Sequence, residues 1–406
     1  MVTKINITDT NVDDGTVTLT ALFLTLLKVG CTSFGGFMAL IAAVQNYVVH
    51  RRKLISHEEF LDAISLAAIL PGPVAVNVVA FVGFRIRGGK GALVSVAGVI
   101  LPSFLLIVGL SFLYFQVGHV PAVGRFLHGF IPAVAAIIFV AAWNMGSKAI
   151  TGIREAALAL GAAAILMGIG GLAATLVVIV LSGLIGALLF TNRSQARGQE
   201  HISAERDKHC PGISRTSVNA VASPLLAIPV LSISVTPLLK LFVTFGLMSL
   251  LLFGGGYVFV PLMQNVVVDG NAWVTRQEFI DAIALGQVTP GPIVISAAFI
   301  GYKVGGVLGA VAATAGVFLP PALVMLVCVR GLDRIKKSSR IKAALHGIRP
   351  AVVGLIAVAG ISVARSAPMN GITLMIFGAS LIALFLIKVE AAWVVPVAGL
   401  AGLLLY

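Results

Sequence analysis

The residues with the most capacity for chemistry in this chain come in two matching sets. Glu59 and Asp62 stand three apart in EEFLDAISLAAILPGP (58–73), and Glu278 and Asp281 stand three apart in QEFIDAIALGQVTPGP (277–292). Each set runs into a proline–glycine–proline triplet, Pro71-Gly72-Pro73 or Pro290-Gly291-Pro292, and all of these positions recur at a separation of 219. Carboxylates three apart share one helical face. There they can carry protons, pair with a cation or cap a helix start. Two prolines around a glycine remove two backbone donors and bar regular helix at the break. The helix that restarts beyond it presents free N–H groups and a positive dipole end, which suits an anion. Those starts fall near residues 74–77 and 293–296. Gly72 and Gly291 allow close backbone approach, and Asn77, Thr289 and Ser296 offer neutral donors. The plain alternative is a kink that serves packing alone.

The elements that hold these residues must sit in a membrane. The 406-residue chain is 59% hydrophobic and only 11% charged, where soluble domains carry about 25% charged residues. Its mean hydropathy is +1.06. No run of ten-residue alternation indicates a lipid-facing barrel, so an all-α polytopic membrane protein is expected. The net charge is +13. In a soluble protein that would point to nucleic acid, but here the basic residues sit in short loops between apolar runs, as the positive-inside rule explains. Nucleic acid is therefore excluded as a partner and the lipid bilayer expected. Cys31, Cys210 and Cys328 are scattered and specify neither a disulfide framework nor a metal site. His201, His209 and Cys210 share a polar stretch but match no metal spacing. No cofactor is expected.

Four regions follow: a polar N-terminal tail (1–16), a first apolar unit (17–190), a polar linker (191–236) and a second apolar unit (237–406). On either side of the first triplet, segments of roughly 57–70 and 74–86 are each about 20 Å long as helices, short of the about 30 Å hydrocarbon core. Two half-helices re-entering from one side fit better than one straight span. The second unit repeats the first in Phe34-Gly35-Gly36 and Phe253-Gly254-Gly255, Gln45-Asn46 and Gln264-Asn265, Leu101-Pro102 and Leu319-Pro320, and HGFIPAV (128–134) and HGIRPAV (346–352).

Charge at matching places is swapped. Arg51, Arg52, Lys53, Arg85, Arg87 and Lys90 flank the first triplet, whereas Arg276 and Lys303 alone flank the second. The later loop reverses this, with only Arg125 in 118–127 against six basic residues in 330–342. Positive residues mark the cytoplasmic side, so the halves should be inverted repeats of about five transmembrane helices each plus a broken, re-entrant helix. The linker would lie in the cytoplasm and both termini outside. In transporters of that plan, broken helices at the repeat interface form the substrate site.

Three cations are further candidates. Lys28 lies inside an apolar run, where charge is functional by default, although snorkelling explains it equally. Arg85 and Lys303 keep a cation in both halves. A topology anchor explains Arg85, but Lys303 falls on the expected outer face, which favours anion attraction there. His128 and His346 read as proton relays or as interfacial packing residues.

At FGGFMALIA, EFLDAISLAAILPGPVAVN and FVGFRIRGGKGA in the first half, and FGGGYVFVPLM and EFIDAIALGQVTPGPIVIS in the second, the sequence resembles the chromate ion transporter superfamily in its long two-domain form. The resemblance covers nearly the whole chain outside the tail and linker. It implies export of chromate across the inner membrane, with sulfate as a competing dianion. Outward movement of two negative charges gains about 4.6 kcal/mol per 100 mV, inside negative. Alternatives with the same features are a sulfate or other oxyanion transporter, proton symport included, and an anion channel. A homodimer is the assembly to consider. An enzyme is disfavoured, because no nucleophile–base pair or metal set occurs in the apolar segments.

Overall fold

A serine or threonine three residues before a glutamate marks a helix start, and the chain carries that signal at Ser56–Glu59 and Thr275–Glu278. In the structure, a computed structural model, both are complete capping boxes. Glu59 N donates to Ser56 Oγ and Ser56 N to the Glu59 carboxylate, each at 3.1 Å; the second copy does the same at 3.2 and 2.8 Å. The structure describes residues 17–33, 37–117, 121–169, 174–189, 237–252, 256, 259–329, 338–368 and 370–405. The N-terminal tail, the linker and both Phe-Gly-Gly triplets lie outside the described residues.

The first half runs α1 (Leu19–Thr32), α2 (Phe37–Gln45), a π-helical turn (Asn46–Arg51), α3 (His57–Ile69), α4 (Val74–Val117), α5 (Pro121–His128), α6 (Phe130–Ala149), α7 (Ile153–Gly168) and α8 (Ala174–Leu189). The second runs α9 (Pro237–Leu250), α10 (Phe259–Gln264), a π-helical turn (Asn265–Gly270), α11 (Arg276–Val288), a 3-10 turn (Ile293–Ile295), α12 (Ser296–Val329), α13 (Ser339–Ala364), α14 (Gly371–Phe385) and α15 (Ala391–Leu405). Every regular element among the described residues is helical. Even the irregular backbone recurs: Lys53 and Ala272 both have φ 50°, Gly72 and Gly291 have φ 109° and 110°, and Gly88 and Gly306 have φ 63° and 60°.

Four stretches are long and apolar enough to cross a membrane: Val74–Val117, Ala122–Ala149, Ile293–Val329 and Ala343–Ala364. Large apolar side chains stand outward, among them Leu160 at 72% and Leu188 and Leu404 at 82% exposure. Water would not tolerate that surface; lipid suits it.

Neither α4 nor α12 is one straight rod. Arg87 and Gly88 leave helical geometry in α4, as Gly305 and Gly306 do in α12. Across each turn two glycine backbones touch, Gly83 with Gly91 and Gly301 with Gly309, with no room for a Cβ. Contact between residues eight apart means that the chain doubles back. The first arm of α4 (74–86) is therefore about 20 Å long and the second (89–117) about 43 Å, enough to span.

α3 and the first arm of α4 form a V with its vertex at Pro71–Pro73. Its open ends lie side by side, because Arg85 binds Glu59 there. The second V, from α11 and the start of α12, is closed the same way by Lys303 and Glu278. The V shape thus follows from two chemical facts, a pair of prolines at the vertex that have no backbone N–H to donate and an ion pair across the mouth.

Candidate functional site

Each vertex is held by the opposite half of the chain. Gly72 N donates to Leu252 O at 2.7 Å, and Gly291 N donates to Ser33 O at 2.9 Å. Both acceptors border the Phe-Gly-Gly interruptions. The Pro321 ring lies over Gly72, where a Cβ would collide, and Ser103 Oγ would stand 2.6 Å from a Cβ on Gly291. Ser103 donates to the Pro290 carbonyl, and in the first copy Asn77 Nδ2 donates to the Pro71 carbonyl at 3.0 Å. Carbonyls that proline leaves unpaired are thereby satisfied.

A cavity of about 710 Å³ opens beside both vertices, within the range of about 300–1,000 Å³ usual for small-ligand sites. Pro73, Val74 and Ala75 reach it from the first break, and Thr289, Gly291, Pro292, Ile293 and Val294 from the second. It is thus lined by the starts of both resumed helices, whose first N–H groups have no intrahelical acceptor. Three charged side chains share the wall: Lys148 from the end of α6, Arg349 from α13 and Glu390 before α15. Arg349 is exposed to this space although α13 is otherwise largely buried around it. Gln287 also lines the cavity, and its Nε2 is a buried donor without a partner, the kind of group an oxyanion would satisfy.

Of the residues singled out from the sequence, Pro73, Thr289, Gly291 and Pro292 face the cavity. Pro71, Gly72 and Pro290 shape the vertices behind it. Asn77 and Ser296 are fully buried and bond to local backbone, Ser296 Oγ to Ile293 O at 3.0 Å. Thr289 Oγ1 donates to Gly286 O at 2.9 Å. Lys28 is exposed on α1 and is not part of the cavity wall. Arg85 and Lys303 stand at the V mouths, about a dozen residues and hence about 18 Å along the helix from each vertex. The Glu278 contact supplies a reason for Lys303 on its face that the sequence lacked. His346 Nε2 lies 3.4 Å from Glu155 Oε1, a carboxylate 1% exposed.

The four acids separate into two kinds. Glu59 and Glu278 cap helices and bind cations. Asp281 is 0% exposed and accepts from Tyr114 OH at 2.8 Å and Gln277 Nε2 at 3.1 Å, while Asp62 is half-buried. Because Glu278 and Lys303 form one contact, Lys303→Gln and Glu278→Gln should each lower thermal stability in detergent. The double variant should lose less than the sum, with a coupling of about 0.5–3 kcal/mol. Strict additivity would show that the pair contributes nothing.

Sequence reasoning passed over Arg349, Lys148, Gln287, Ser103 and Tyr114. Arg349 had a signal: it lies within the apolar part of α13, beyond the basic residues at its start, and it breaks the repeat, since HGFIPAV has Ile131 there. Gln287 likewise replaces Ala68. Ser103 and Tyr114 carried no such mark, because their partners lie 187 and 167 residues away.

Interrupted helices that meet at a shared cavity characterise α-helical transport proteins. A model of the chromate transporter family matches residues 20–187 and 239–403, and the chain belongs to that family. It is similar to the chromate transport protein of Pseudomonas aeruginosa, with 32% identity over 393 residues, covering 95% of this chain and 92% of the relative. An uncharacterised transporter of Methanocaldococcus jannaschii is 32% identical over 368 residues, covering 90% of this chain and 89% of the relative. An uncharacterised transporter of Bacillus subtilis is 32% identical over 170 residues, which is 40% of this chain but 93% of the relative. No solved structure matches the chain. The protein is a membrane transport protein of this family and not an enzyme.

Proposed function

We propose that this protein exports chromate from the cytoplasm through the cavity between its two Pro-Gly-Pro vertices, as an alternating-access carrier driven by the membrane potential. The observation that carries this reading is one cavity reached by two helix starts, Arg349 and Lys148. The cargo follows the chromate transport protein to which the chain is similar. A tetrahedral dianion needs positive potential and several directed donors, yet must leave again. Two cations opposed by Glu390, with backbone donors supplying the rest, meet both needs.

The architecture proposed is two inverted repeats of about five spans in the inner membrane, with the linker in the cytoplasm. Reciprocal bonds between the halves and a half-length relative support the repeat. In that orientation the end of α6 and the 386–390 turn face the cytoplasm, and the cavity reaches both. An anion awaiting export would enter there.

Purified protein in proteoliposomes should carry chromate outward when the interior is negative, faster as the potential grows. Unlabelled chromate on the far side should accelerate tracer efflux, which a channel would not show. Sulfate carried at equal rate with chromate excluded would replace the cargo; flux indifferent to chromate on the far side would replace the carrier with a channel.

A further inference from the structure

Along α11 from the cavity-lining Gly286, about 8 Å toward the mouth of the second V, lies a second polar cluster, buried and joining the two halves. Asp281, in α11, is fully buried, and both its oxygens accept hydrogen bonds, from Tyr114 OH in α4 and from Gln277. Both donors are neutral. Among the described residues no cation pairs with it. On α11 itself the other charged side chains are Arg276, 3.9 Å from Asp269, and Glu278, which stands one turn before Asp281 and binds Lys303 of α12. Among the helices packed on α11, α10 and α15 contain no ionisable side chain, and α6 brings only Lys148, in its last turn. On α4, Arg85, Arg87 and Lys90 stand near the turn at the other end of its spanning arm.

Around this contact the halves also meet through aromatic rings. Tyr114 and Phe115 lie edge-on and tilted against Phe299, at 5.0 and 5.1 Å. Phe115 stacks on Tyr302 at 6.1 Å, with Lys303 Nζ 5.1 Å above the Phe115 ring. Opening a path past this cluster must part α4 from α11 and expose Asp281 to water.

We infer that Asp281 is the proton-binding group of the transport cycle and that Tyr114 is the residue that positions it, the pair forming a latch between the halves. The inference rests on the carrier reading above. Two hydrogen bonds from neutral donors offset only part of the desolvation of an ionised carboxylate sealed with no cation beside it, and a bound proton removes the remaining cost. When the latch parts, water solvates the carboxylate and the proton leaves. The proton is thus taken up as the latch closes and released as it opens. Asp62, half-buried in the other half, does not reproduce this environment.

The test is chromate flux against pH in proteoliposomes at clamped potential. Wild-type flux should change about tenfold per pH unit on one side of its midpoint, as one titrating group requires. Asp281→Asn should flatten that profile, and Tyr114→Phe should shift its midpoint, because the ionised form loses a donor. An infrared carboxyl band that appears on acidification of wild type should be missing from Asp281→Asn, a readout independent of the cargo. A wild-type profile in Asp281→Asn, or an unmoved midpoint in Tyr114→Phe, would overturn the inference. Should Asp281→Asn fail to fold, Tyr114→Phe decides alone. Chromate flux absent from wild type at every pH, with the infrared band intact, would instead sink the carrier reading.

Discussion

Replacing Arg349 by glutamine should cut chromate flux at least about tenfold while the protein still folds. A unit charge about 5 Å from a dianion, at an effective dielectric near 20, contributes about 6–7 kcal/mol before desolvation is subtracted. A small fraction of that suffices, since about 1.4 kcal/mol is a factor of ten in binding. Arg349 forms no ion pair among the described residues and faces the cavity, so its removal leaves no buried partner uncompensated. Arg349→Lys should retain part of the flux, because it keeps the charge and loses the planar fork of donors. Flux in Arg349→Gln equal to wild type would remove this residue from the site.

The second large effect is expected from a single methyl group at a vertex. Gly72→Ala and Gly291→Ala should both abolish transport and lower the melting temperature in detergent. At φ 109° and 110° an L-residue is strained, at a cost of about 1–2 kcal/mol. The methyl also meets the Pro321 ring in one copy and Ser103 Oγ in the other, and overpacking adds about 1–3 kcal/mol. Relief would require moving α12 or α4, which would break the Gly72–Leu252 or Gly291–Ser33 hydrogen bond. Gly109→Ala is the matched control. Its added Cβ meets nothing within 4 Å and its backbone is helical, so stability should hold or rise slightly. A vertex alanine that behaves like the control would mean that the two halves do not lock at these glycines.

Much of the fold was legible because the signals were local. Prolines 71 and 73 forbid helix wherever they stand, and the half-helix lengths read from the sequence, 57–70 and 74–86, lie within a residue or so of α3 and the first arm of α4. Val74, Ala75, Ile293 and Val294 line the cavity, whereas Asn77 and Ser296 stand behind it. The acids were harder. Glu59 and Asp62 share a face and a motif, yet one caps a helix and binds Arg85 while its counterpart pair hides Asp281 against Tyr114. Ser56 and Thr275 mark the two glutamates as caps, but nothing local tells the sealed Asp281 from the half-buried Asp62. The difference comes from a tyrosine in the other half.

Membership of a helical membrane class, the doubled broken helices and the absence of a metal or cofactor motif were set by the amino-acid order itself. Proline geometry, apolar run length and repeated spacing act over a few residues and need no partner. Which breaks face a common space, which of the four acids is sealed and which cations line the cavity were decided only when α4, α6, α11 and α13 came together. Burial and electrostatics depend on neighbours more than a hundred positions away, and the value of a charge changes with what surrounds it. So Arg349, one basic residue among 28 lysines and arginines in the sequence, joins Lys148 in the wall of the shared cavity only in the folded chain.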